Sequence, residues 1–399
     1  MGRAKQAWME AQDRGWDGLD RHVCVDCVDD VYLASLVEAS AHHTGCDYCD
    51  NTGVSTAEVS CILDAVKTGI HYGFNDEANA GVPYSKDFPI EYLSTQDVLE
   101  GTLSNEGVNW CNELIEDVAG ALHEVGWVEA PEGDFFGSYG HQRYRWSWSA
   151  FVAAVKHQSR FHFHVHKSVD EYGDRPISPA EMLGFLGHVF EHNQMVQTIS
   201  ANAVFLRVRK GVWPLLAGEA GPPPHTKATG GRMNPAGIPY LYLAFDQTTA
   251  LHEARAVVGD AVTVSRWQPS RELRVLDLTH QPKCMSIFEG RDPTQDYAIF
   301  LWHFLEDISK PLCKDDIPEI EYVPTQLVCE YLAQVFSPDG KPLDGLIYPS
   351  ALTAGKNFVL FPERGQRYVK SSLERFGMVK SSLERFGMVK FQSAEVIKV

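Results

Sequence analysis

The middle of the chain carries side chains that together could bind a nucleotide. Arg232 follows two glycines, and a guanidinium at that place can grip a pyrophosphate through paired hydrogen bonds while the glycines let backbone N–H groups approach. Tyr242 lies on the next predicted strand and can stack on a flat heteroaromatic ring. Glu253 lies early on the following predicted helix and can face the same cleft. These residue types predict a nucleotide pocket and leave its reaction open.

Four cysteines in the N-terminal part of the chain have the spacing of a metal site. They form two Cys-x-x-Cys pairs with 18 residues between the pairs, namely Cys24, Cys27, Cys46 and Cys49. Two such pairs can close one tetrahedral four-thiolate site around Zn²⁺. Because four thiolates leave no open coordination position, we predict a structural zinc ion that helps this polar segment to fold. The alternative is a set of four unrelated reduced thiols.

One helical segment matches the H-x-x-E-H pattern of inverted zinc peptidases through His188, Glu191 and His192. On a helix, two imidazoles four residues apart share a face and could hold one metal ion, with the glutamate nearby as a base. Such a site needs a third ligand, and no downstream segment indicates one. A zinc hydrolase is therefore an alternative function for the chain.

A run of histidines, His162, His164 and His166, alternates at the period of a β-strand. The pattern predicts a half-buried strand with the three imidazoles on one face. Arg160 and His166 also have the Arg-x5-His spacing of HEPN ribonucleases, in which the pair must lie on a helix. Strand-like alternation therefore argues against ribonuclease activity.

Regular elements must position these groups, and their patterns divide the chain in two. Helical periods dominate residues 1–196, at 56–73, 95–125, 147–158 and 179–199. After residue 237, strand patterns at 239–245, 261–267, 272–278, 346–348 and 358–361 are interspersed with helical patterns at 248–258, 294–308 and 325–336. The glycine- and proline-rich stretch 211–237 reads as a long loop beside or over a site. The fold class predicted is α+β, with a mainly helical N-terminal domain.

Composition and charge limit the classes of function. The 399 residues include 53 acidic and 35 basic side chains, a net charge of −18. The length predicts two or three domains. The acidic excess argues against a broad nucleic-acid surface, because phosphate neutralisation supplies most of that affinity. No apolar run approaches the roughly 20 residues that cross a bilayer, and no signal-peptide pattern is present, so we expect a cytoplasmic protein without a membrane partner.

The chain also contains a tandem duplication near residue 399. The ten residues SSLERFGMVK occur at Ser371–Lys380 and again at Ser381–Lys390. Two copies of this length are too few and too short for a solenoid. We predict an extended or helical tail at residues 367–399.

Several ordered motifs resemble the RES domain, which is named for its Arg, Glu and Ser residues. The resemblance covers roughly residues 201–363, and Arg207 matches the arginine of the domain's first strand. Met233 departs from the family, which commonly has an aromatic residue there. The motifs are Gly231-Arg232-x-Asn234-x-x-Gly237-x-Pro239-x-Leu241-Tyr242-Leu-Ala with Glu253, Tyr322-x-Pro324-Thr-Gln326, Asp344-Gly345-x-x-Tyr348-Pro-Ser350 and Gly355-x-Asn357-x-Val-Leu-Phe361.

The resemblance implies a domain order and a fold. The cysteine-rich segment and the helices after it resemble the HEPN/RES N-terminal domain, which gives predicted domains at residues 1–196, 197–366 and 367–399. RES domains have a fold similar to ADP-ribosyltransferase toxins. Known members degrade NAD⁺ by hydrolysis or phosphorolysis, or transfer ADP-ribose to a protein, and many are toxins of toxin–antitoxin pairs.

The resemblance also implies roles for residues. Arg232 would contact the phosphates, Tyr242 would stack on nicotinamide, Glu253 would stabilise the developing cation or orient the attacking group, and Ser350 would hydrogen-bond to nicotinamide or ribose. The residues implied to contact the dinucleotide also include Arg207, Gly231 and Asn234. The chain is thus expected to consume NAD⁺, with an inhibitory partner or antitoxin as a further expectation. The alternatives are ADP-ribosylation of a macromolecule and a non-catalytic NAD⁺ or ADP-ribose sensor.

Overall fold

The computed structural model describes most of the chain and divides it into two compact units. The first unit comprises Met1–Gln142 and Lys283–Asp296, and the second comprises Arg143–Pro282 and Tyr297–Val399. The predicted domain boundaries near residues 197 and 367 are defined by sequence motifs rather than by contacts, and they stay predictions. The structure describes residues 3–76, 81, 92–124, 126–135, 137–165, 176–215, 220–290, 294–313, 315–362 and 389–399.

The first unit is mainly helical and contains two small antiparallel sheets with the strand orders β1-β3-β2 and β4-β5. Its core contains Val66, Leu99, Val118 and Trp127, which are fully buried or nearly so. Its helices are α1 (Arg3–Arg14), α2 (Val25–Val28), α3 (Val31–Ala39), α4 (Leu63–Gly73), α5 (Thr95–Glu106) and α6 (Asn112–Ala121). Its strands are β1 (His22–Val23), β2 (His43–Thr44), β3 (Ser55–Glu58), β4 (Phe74–Asp76) and β5 (Trp127–Glu129).

The predicted helix at residues 95–125 consists of two helices. Ser94 caps α5, with Asp97 closing a capping box. Gly107 ends this helix in the left-handed conformation, with φ 71°. A second helix, α6, follows after Cys111. The hydrophobic period continues across the break, and a period alone does not show where the chain turns.

The second unit is built on an eight-stranded sheet with the order β13-β9-β7-β8-β12-β11-β10-β6. Strands β10 and β11 run parallel, and the other pairs described are antiparallel. Its helices are α7 (Gly140–His157, which begins in residues of the first unit), α8 (Met182–His192), α9 (Gln247–Glu253), α10 (Gln295–Ser309), α11 (Pro318–Glu321) and α12 (Val323–Gln334). Its strands are β6 (Val196–Ile199), β7 (Phe205–Lys210), β8 (Leu241–Ala244), β9 (Ala261–Pro269), β10 (Leu273–Asp277), β11 (Gly345–Pro349), β12 (Lys356–Leu360) and β13 (Val389–Lys398).

Two hydrophobic clusters use opposite faces of this sheet, because successive side chains of a strand alternate between faces. Leu346 and Val359 belong to the larger cluster, which includes side chains of α7, α8, α10 and α12. Their neighbours Ile347 and Phe358 belong to a smaller cluster with Trp267 of β9. The strands and helices predicted after residue 237 are present, and the predicted α+β class is confirmed.

Three local predictions are wrong or fall outside the described residues. The described part of the histidine run contains a short 3₁₀ turn at Phe163–Val165, with His162 and His164 exposed, so alternation alone did not produce a strand there. His166, on which the three-histidine face and the Arg-x5-His spacing depend, lies outside the described residues. The predicted helix 179–199 ends at His192, and β6 follows it and pairs with β10. Most of the duplicated segment lies outside the described residues, and its last two residues begin β13. Among the described helices, none combines the length and apolarity needed to span a bilayer.

Candidate functional site

A cleft of about 240 Å³ in the second unit brings together β7, β8, α9, β11 and β12. One polar or charged residue from each element lines it: Arg207, Tyr242, Glu253, Tyr348 and Asn357. These residues are as far as 150 positions apart in the sequence, from 207 to 357, and the strand order β7-β8-β12-β11 makes their elements neighbours. A cation, a carboxylate and two phenol rings thus face one small space.

Hydrogen bonds hold the Glu253 carboxylate from two sides. Ser350 Oγ donates to Glu253 Oε1 at 2.7 Å, and Asn357 Nδ2 donates to the same oxygen at 2.6 Å. No donor among the described residues reaches Oε2. Because Asn357 is buried, at 3% exposure, its amide gives the carboxylate a fixed orientation at the end of α9. The predicted pair Glu253 and Ser350 is therefore in direct contact.

The helix that carries Glu253 is capped by Asp246, whose carboxylate accepts hydrogen bonds from the Thr249 N–H at 2.8 Å and the Thr249 hydroxyl at 2.7 Å. These bonds lower the pKa of Asp246. The contribution of the ionised cap to the free energy of unfolding is therefore fully present above the unfolded-state pKa of about 4. It is lost as the pH falls through the lower folded-state pKa.

We expect Asp246→Ala to lower the free energy of unfolding by about 1 kcal/mol at pH 7 and by less at pH 3. Asp246→Asn is the control, because asparagine caps helices without ionising. Denaturant unfolding at both pH values measures the effect. An Asp246→Ala deficit that is the same at both pH values would contradict the role of the ionised cap.

Arg207 places a partly buried cation in the cleft. Its Nη1 is buried and has no hydrogen-bond partner among the described residues. Burial, followed by the charge of Arg209, lowers the pKa of Arg207 to about 9, so the guanidinium stays charged at neutral pH. A donor nitrogen that is buried without a partner is unfavourable by about 1–3 kcal/mol. The arrangement therefore favours an anionic ligand at this guanidinium.

Asn234 organises the glycine-rich loop and anchors Tyr242. Its Nδ2 lies within hydrogen-bond distance of the carbonyls of Thr229, Pro235 and Ile238, at 3.0–3.1 Å. Its Oδ1 accepts a bond of 2.7 Å from the Tyr242 hydroxyl. Burial raises the pKa of Tyr242, which remains a neutral phenol. Asn234 is itself buried, so the structure shows it supporting the loop, and its contact with a ligand stays a prediction.

The close packing of Asn234 and Tyr242 leaves no room for a side chain at Gly231. A Cβ atom at residue 231 would lie 2.8 Å from Asn234 Oδ1 and 2.9 Å from Tyr242 Oη. We expect Gly231→Ala to lower the free energy of unfolding by about 1–3 kcal/mol through overpacking. Gly230→Ala is the matched control, since its Cβ would meet no atom closer than 3.6 Å. Equal denaturation curves for the two variants would contradict the tight packing at residue 231.

Arg232 lines a neighbouring cleft of about 320 Å³ and not the cleft of Glu253. Its Nη1 donates to the carbonyls of Ile308 at 2.7 Å and Lys310 at 2.9 Å, at the C-terminal end of α10. Its guanidinium carbon is 5.5 Å from the ring centre of Tyr322. A cation at a helix C-terminus is stabilised by the helix dipole. The structure thus brings Arg207, Tyr242 and Glu253 together and places Arg232 beside them.

Comparison with known families identifies the domains. A family model described as the RES domain matches residues 205–378, and a model described as HEPN/RES N-terminal domain 1 matches residues 39–169. The chain contains a HEPN/RES N-terminal domain followed by a RES domain. No curated protein matches the sequence. Among solved structures, a chain from the crystal structure of the M. tuberculosis MbcT–MbcA toxin–antitoxin complex is similar at 17% identity with a TM-score of 0.30, and the match covers 53% of this chain and 92% of that one.

Two residues of the RES domain cleft, Tyr348 and Asn357, were not among the predicted site residues. Burial raises the pKa of Tyr348 well above its usual range, with further contributions from Tyr242 and Glu253 that Arg232 opposes. Tyr348 is therefore within electrostatic reach of both clefts. Both residues occur in the motifs that carry the RES resemblance, and their presence in those motifs is the signal that could have found them.

The histidines of the H-x-x-E-H pattern lie exposed on α8. The ring centres of His188 and His192 are 6.4 Å apart, and each contacts Tyr297 edge-on. Within the described parts of the chain, no third His, Cys, Asp or Glu ligand atom converges with theirs to within 4.8 Å. The arrangement does not support a zinc hydrolase at this helix.

The four N-terminal cysteines converge as the spacing predicted. Their sulfur atoms all lie within 4.8 Å of one another. The Sγ atoms of Cys24 and Cys49 are 3.9 Å apart, and those of Cys27 and Cys46 are 3.7 Å apart. A tetrahedral site with Zn–S bonds of about 2.3 Å has sulfurs about 3.8 Å apart. The four thiols therefore fit a zinc ion, for which these cysteines would be the ligands.

Proposed function

We propose that the RES domain consumes NAD⁺ by cleaving the bond between nicotinamide and ribose. The proposal is carried by one observation: Arg207, whose buried Nη1 has no hydrogen-bond partner among the described residues, and the oriented carboxylate of Glu253 line the same cleft. NAD⁺ matches both charges, because it has an anionic pyrophosphate and develops a positive ribosyl centre when the bond breaks. The NAD⁺ activity of known RES domains supports the same assignment, and an ADP-ribosyltransferase-like fold is part of the proposal.

The expected chemistry depends on positioning and charge. Loss of neutral nicotinamide passes through an oxocarbenium-like state, which a fixed carboxylate stabilises without transferring a proton. Ser350 and Asn357 hold the Glu253 carboxylate before the substrate binds. In this arrangement Ser350 acts as a positioning residue for Glu253.

The size of the cleft indicates which part of the substrate it accepts. Binding sites for drug-sized ligands occupy roughly 300–1,000 Å³, so a cleft of about 240 Å³ accepts one end of a dinucleotide. We assign the nicotinamide riboside end to this cleft, between the phenol rings of Tyr242 and Tyr348. Arg207 then contacts the nearer phosphate, and Arg232 of the neighbouring cleft contacts the more distant part of the molecule.

Release of nicotinamide from NAD⁺ by the purified full-length chain tests the proposal. We expect free nicotinamide in at least one of two buffers, with and without inorganic phosphate. Hydrolysis uses water and releases nicotinamide and ADP-ribose in both buffers, whereas phosphorolysis requires phosphate and yields phosphorylated ADP-ribose. Label from NAD⁺ fixed to macromolecules of a lysate would instead indicate ADP-ribosyl transfer. Tight NAD⁺ binding without release of nicotinamide under any condition would contradict the proposal and favour a sensor. An inhibitory partner stays a prediction from the family.

We infer, as a second element of the proposal, that the four cysteines hold a structural Zn²⁺ ion. Four thiolates saturate the tetrahedral shell, so the ion would stabilise the fold and take no part in catalysis.

We expect Cys27→Ser to lower bound zinc and the unfolding temperature, since metal binding by such sites is coupled to folding. Metal analysis and thermal unfolding of the full chain measure the two effects. Cys313→Ser is the control, because Cys313 is exposed and lies outside the cluster. Unchanged zinc content in Cys27→Ser would contradict the assignment.

A further inference from the structure

A second group of metal-binding side chains lies on the small sheet β1-β3-β2, apart from the four cysteines. Ligand atoms of His22, His43 and Glu58 all lie within 4.8 Å of one another. The imidazole ring centres of His22 and His43 are 4.1 Å apart. Two imidazoles and one carboxylate are ligands that zinc and related divalent transition metals accept, and three protein ligands leave a coordination position open.

The strand register explains why these three side chains meet. His22 of β1 lies opposite Glu58 of β3, and His43 of β2 lies opposite Thr56 of the same central strand. Residues two apart on a strand share a face, so Thr56 and Glu58 point to the same side. Both histidines therefore lie on the Glu58 face of the sheet, one from each neighbouring strand. The backbone of three paired strands, rather than a single loop, sets this convergence.

The two ring nitrogens of His22 have the surroundings that are usual for a histidine that binds a metal ion. Its Nε2 atom is buried and has no hydrogen-bond partner among the residues that the structure describes. Its Nδ1 atom lies 3.6 Å from a carboxylate oxygen of Asp47, which also accepts the His22 backbone N–H at 2.6 Å. Histidine ligands usually direct one ring nitrogen at the metal and the other at a carboxylate or carbonyl. Asp47 therefore supplies the outer contact, and Nε2 is the atom left for a metal ion.

We propose that His22, His43 and Glu58 bind a divalent transition-metal ion of the zinc class at a site distinct from the four cysteines. Bonds of 2.0–2.2 Å to nitrogen and oxygen require donors about 3.4 Å apart in a tetrahedral site. The observed separations, up to 4.8 Å, must therefore shorten. His43 and Glu58 are exposed, so rotation of their side chains can close the site without moving the sheet. The open position would take water or an anionic group of a ligand.

Metal content of the full-length chain tests this site. The protein is incubated with excess Zn²⁺ and then desalted to remove loosely bound ions. We then expect two equivalents of zinc per chain in the wild type and one in His43→Ala or Glu58→Gln. His42→Ala is the matched control, because His42 is exposed, adjacent to His43 and outside the cluster. This control should retain two equivalents. Two equivalents in the wild type and in both variants would overturn the proposal.

Cobalt substitution separates this site from the cysteine site, because thiolate ligands give an intense sulfur-to-cobalt absorption that imidazole and carboxylate ligands do not. His43→Ala should lose one equivalent of Co²⁺ and keep the full thiolate absorption. One equivalent in the wild type, with thiolate absorption and no change in His43→Ala, would overturn the histidine site and leave the cysteine site in place. One equivalent without thiolate absorption that His43→Ala removes would support the histidine site and contradict the cysteine site.

Discussion

Glu253→Gln is expected to reduce the rate of nicotinamide release from NAD⁺ by about 100- to 1,000-fold at saturating substrate, the range found when one preorganised group that stabilises transition-state charge is removed. Glutamine keeps the size of the side chain and its hydrogen-bond acceptor for Ser350 and Asn357, which bind Oε1 at 2.7 Å and 2.6 Å. It removes the negative charge that stabilises the developing ribosyl cation. The effect should therefore appear in kcat, with a smaller change in KM.

The matched control for this prediction is Glu272→Gln. Glu272 is exposed and does not line the Glu253 cleft. We expect its activity and unfolding temperature to equal those of the wild type. A Glu253→Gln protein that is folded and retains wild-type kcat would show that the carboxylate does not act on the reacting bond, and the assigned chemistry would then be wrong.

Arg207→Met is expected to raise KM for NAD⁺ by roughly 10- to 150-fold without lowering the unfolding temperature. A hydrogen bond to a charged group contributes about 1.5–3 kcal/mol, which corresponds to that range of affinity. The buried Nη1 has no partner among the described residues, so replacing the cation with an apolar chain of similar length removes an unfavourable burial. The affinity for NAD⁺ should therefore fall while the unfolding temperature stays the same or rises. Steady-state kinetics and thermal unfolding on the same preparations measure both.

Arg209→Met provides the matched control, two residues along β7. Arg209 donates to the carbonyl of Gly221, and its guanidinium carbon is 5.2 Å from the ring centre of Trp213. Losing these contacts should lower the free energy of unfolding by about 1–3 kcal/mol and leave KM unchanged. If Arg207→Met instead lost stability and kept its KM, Arg207 would be a structural residue and the phosphate contact would have to come from Arg232.

Several local features of both units were predictable from the residues. The strand pattern before Glu253 and the helical pattern around it correspond to β8 and α9, because hydrophobic period depends on short-range neighbours. The spacing of the four cysteines predicted their convergence, since each pair needs only one turn to present both thiols. The ordered RES motifs also placed Glu253 and Ser350 in one site, and the structure shows them in contact.

Other features depended on backbone conformation or long-range pairing that the hydrophobic period does not contain. Helix 95–125 divides at Gly107 because one residue adopts a left-handed backbone, although the hydrophobic period continues. The histidine run forms no strand over its described residues, which end at Val165, since a strand requires a partner for its backbone hydrogen bonds. The first two residues of β13 come from the duplicated segment, and their pairing with β9 depends on an edge of the sheet far away in sequence.

By itself, the sequence indicated the α+β class, the order of the two families' motifs and the cysteine cluster. It also named Arg207, Tyr242, Glu253 and Ser350 as candidate site residues. Only the tertiary structure decided which arginine shares the cleft with Glu253. Arg207 enters it from β7, whereas Arg232 binds the carbonyls at the end of α10. The same applies to His22, His43 and Glu58, which meet through strand register. The physical reason is that side chains far apart in sequence meet only when strand order and register bring their backbones together, and residue type carries no record of either.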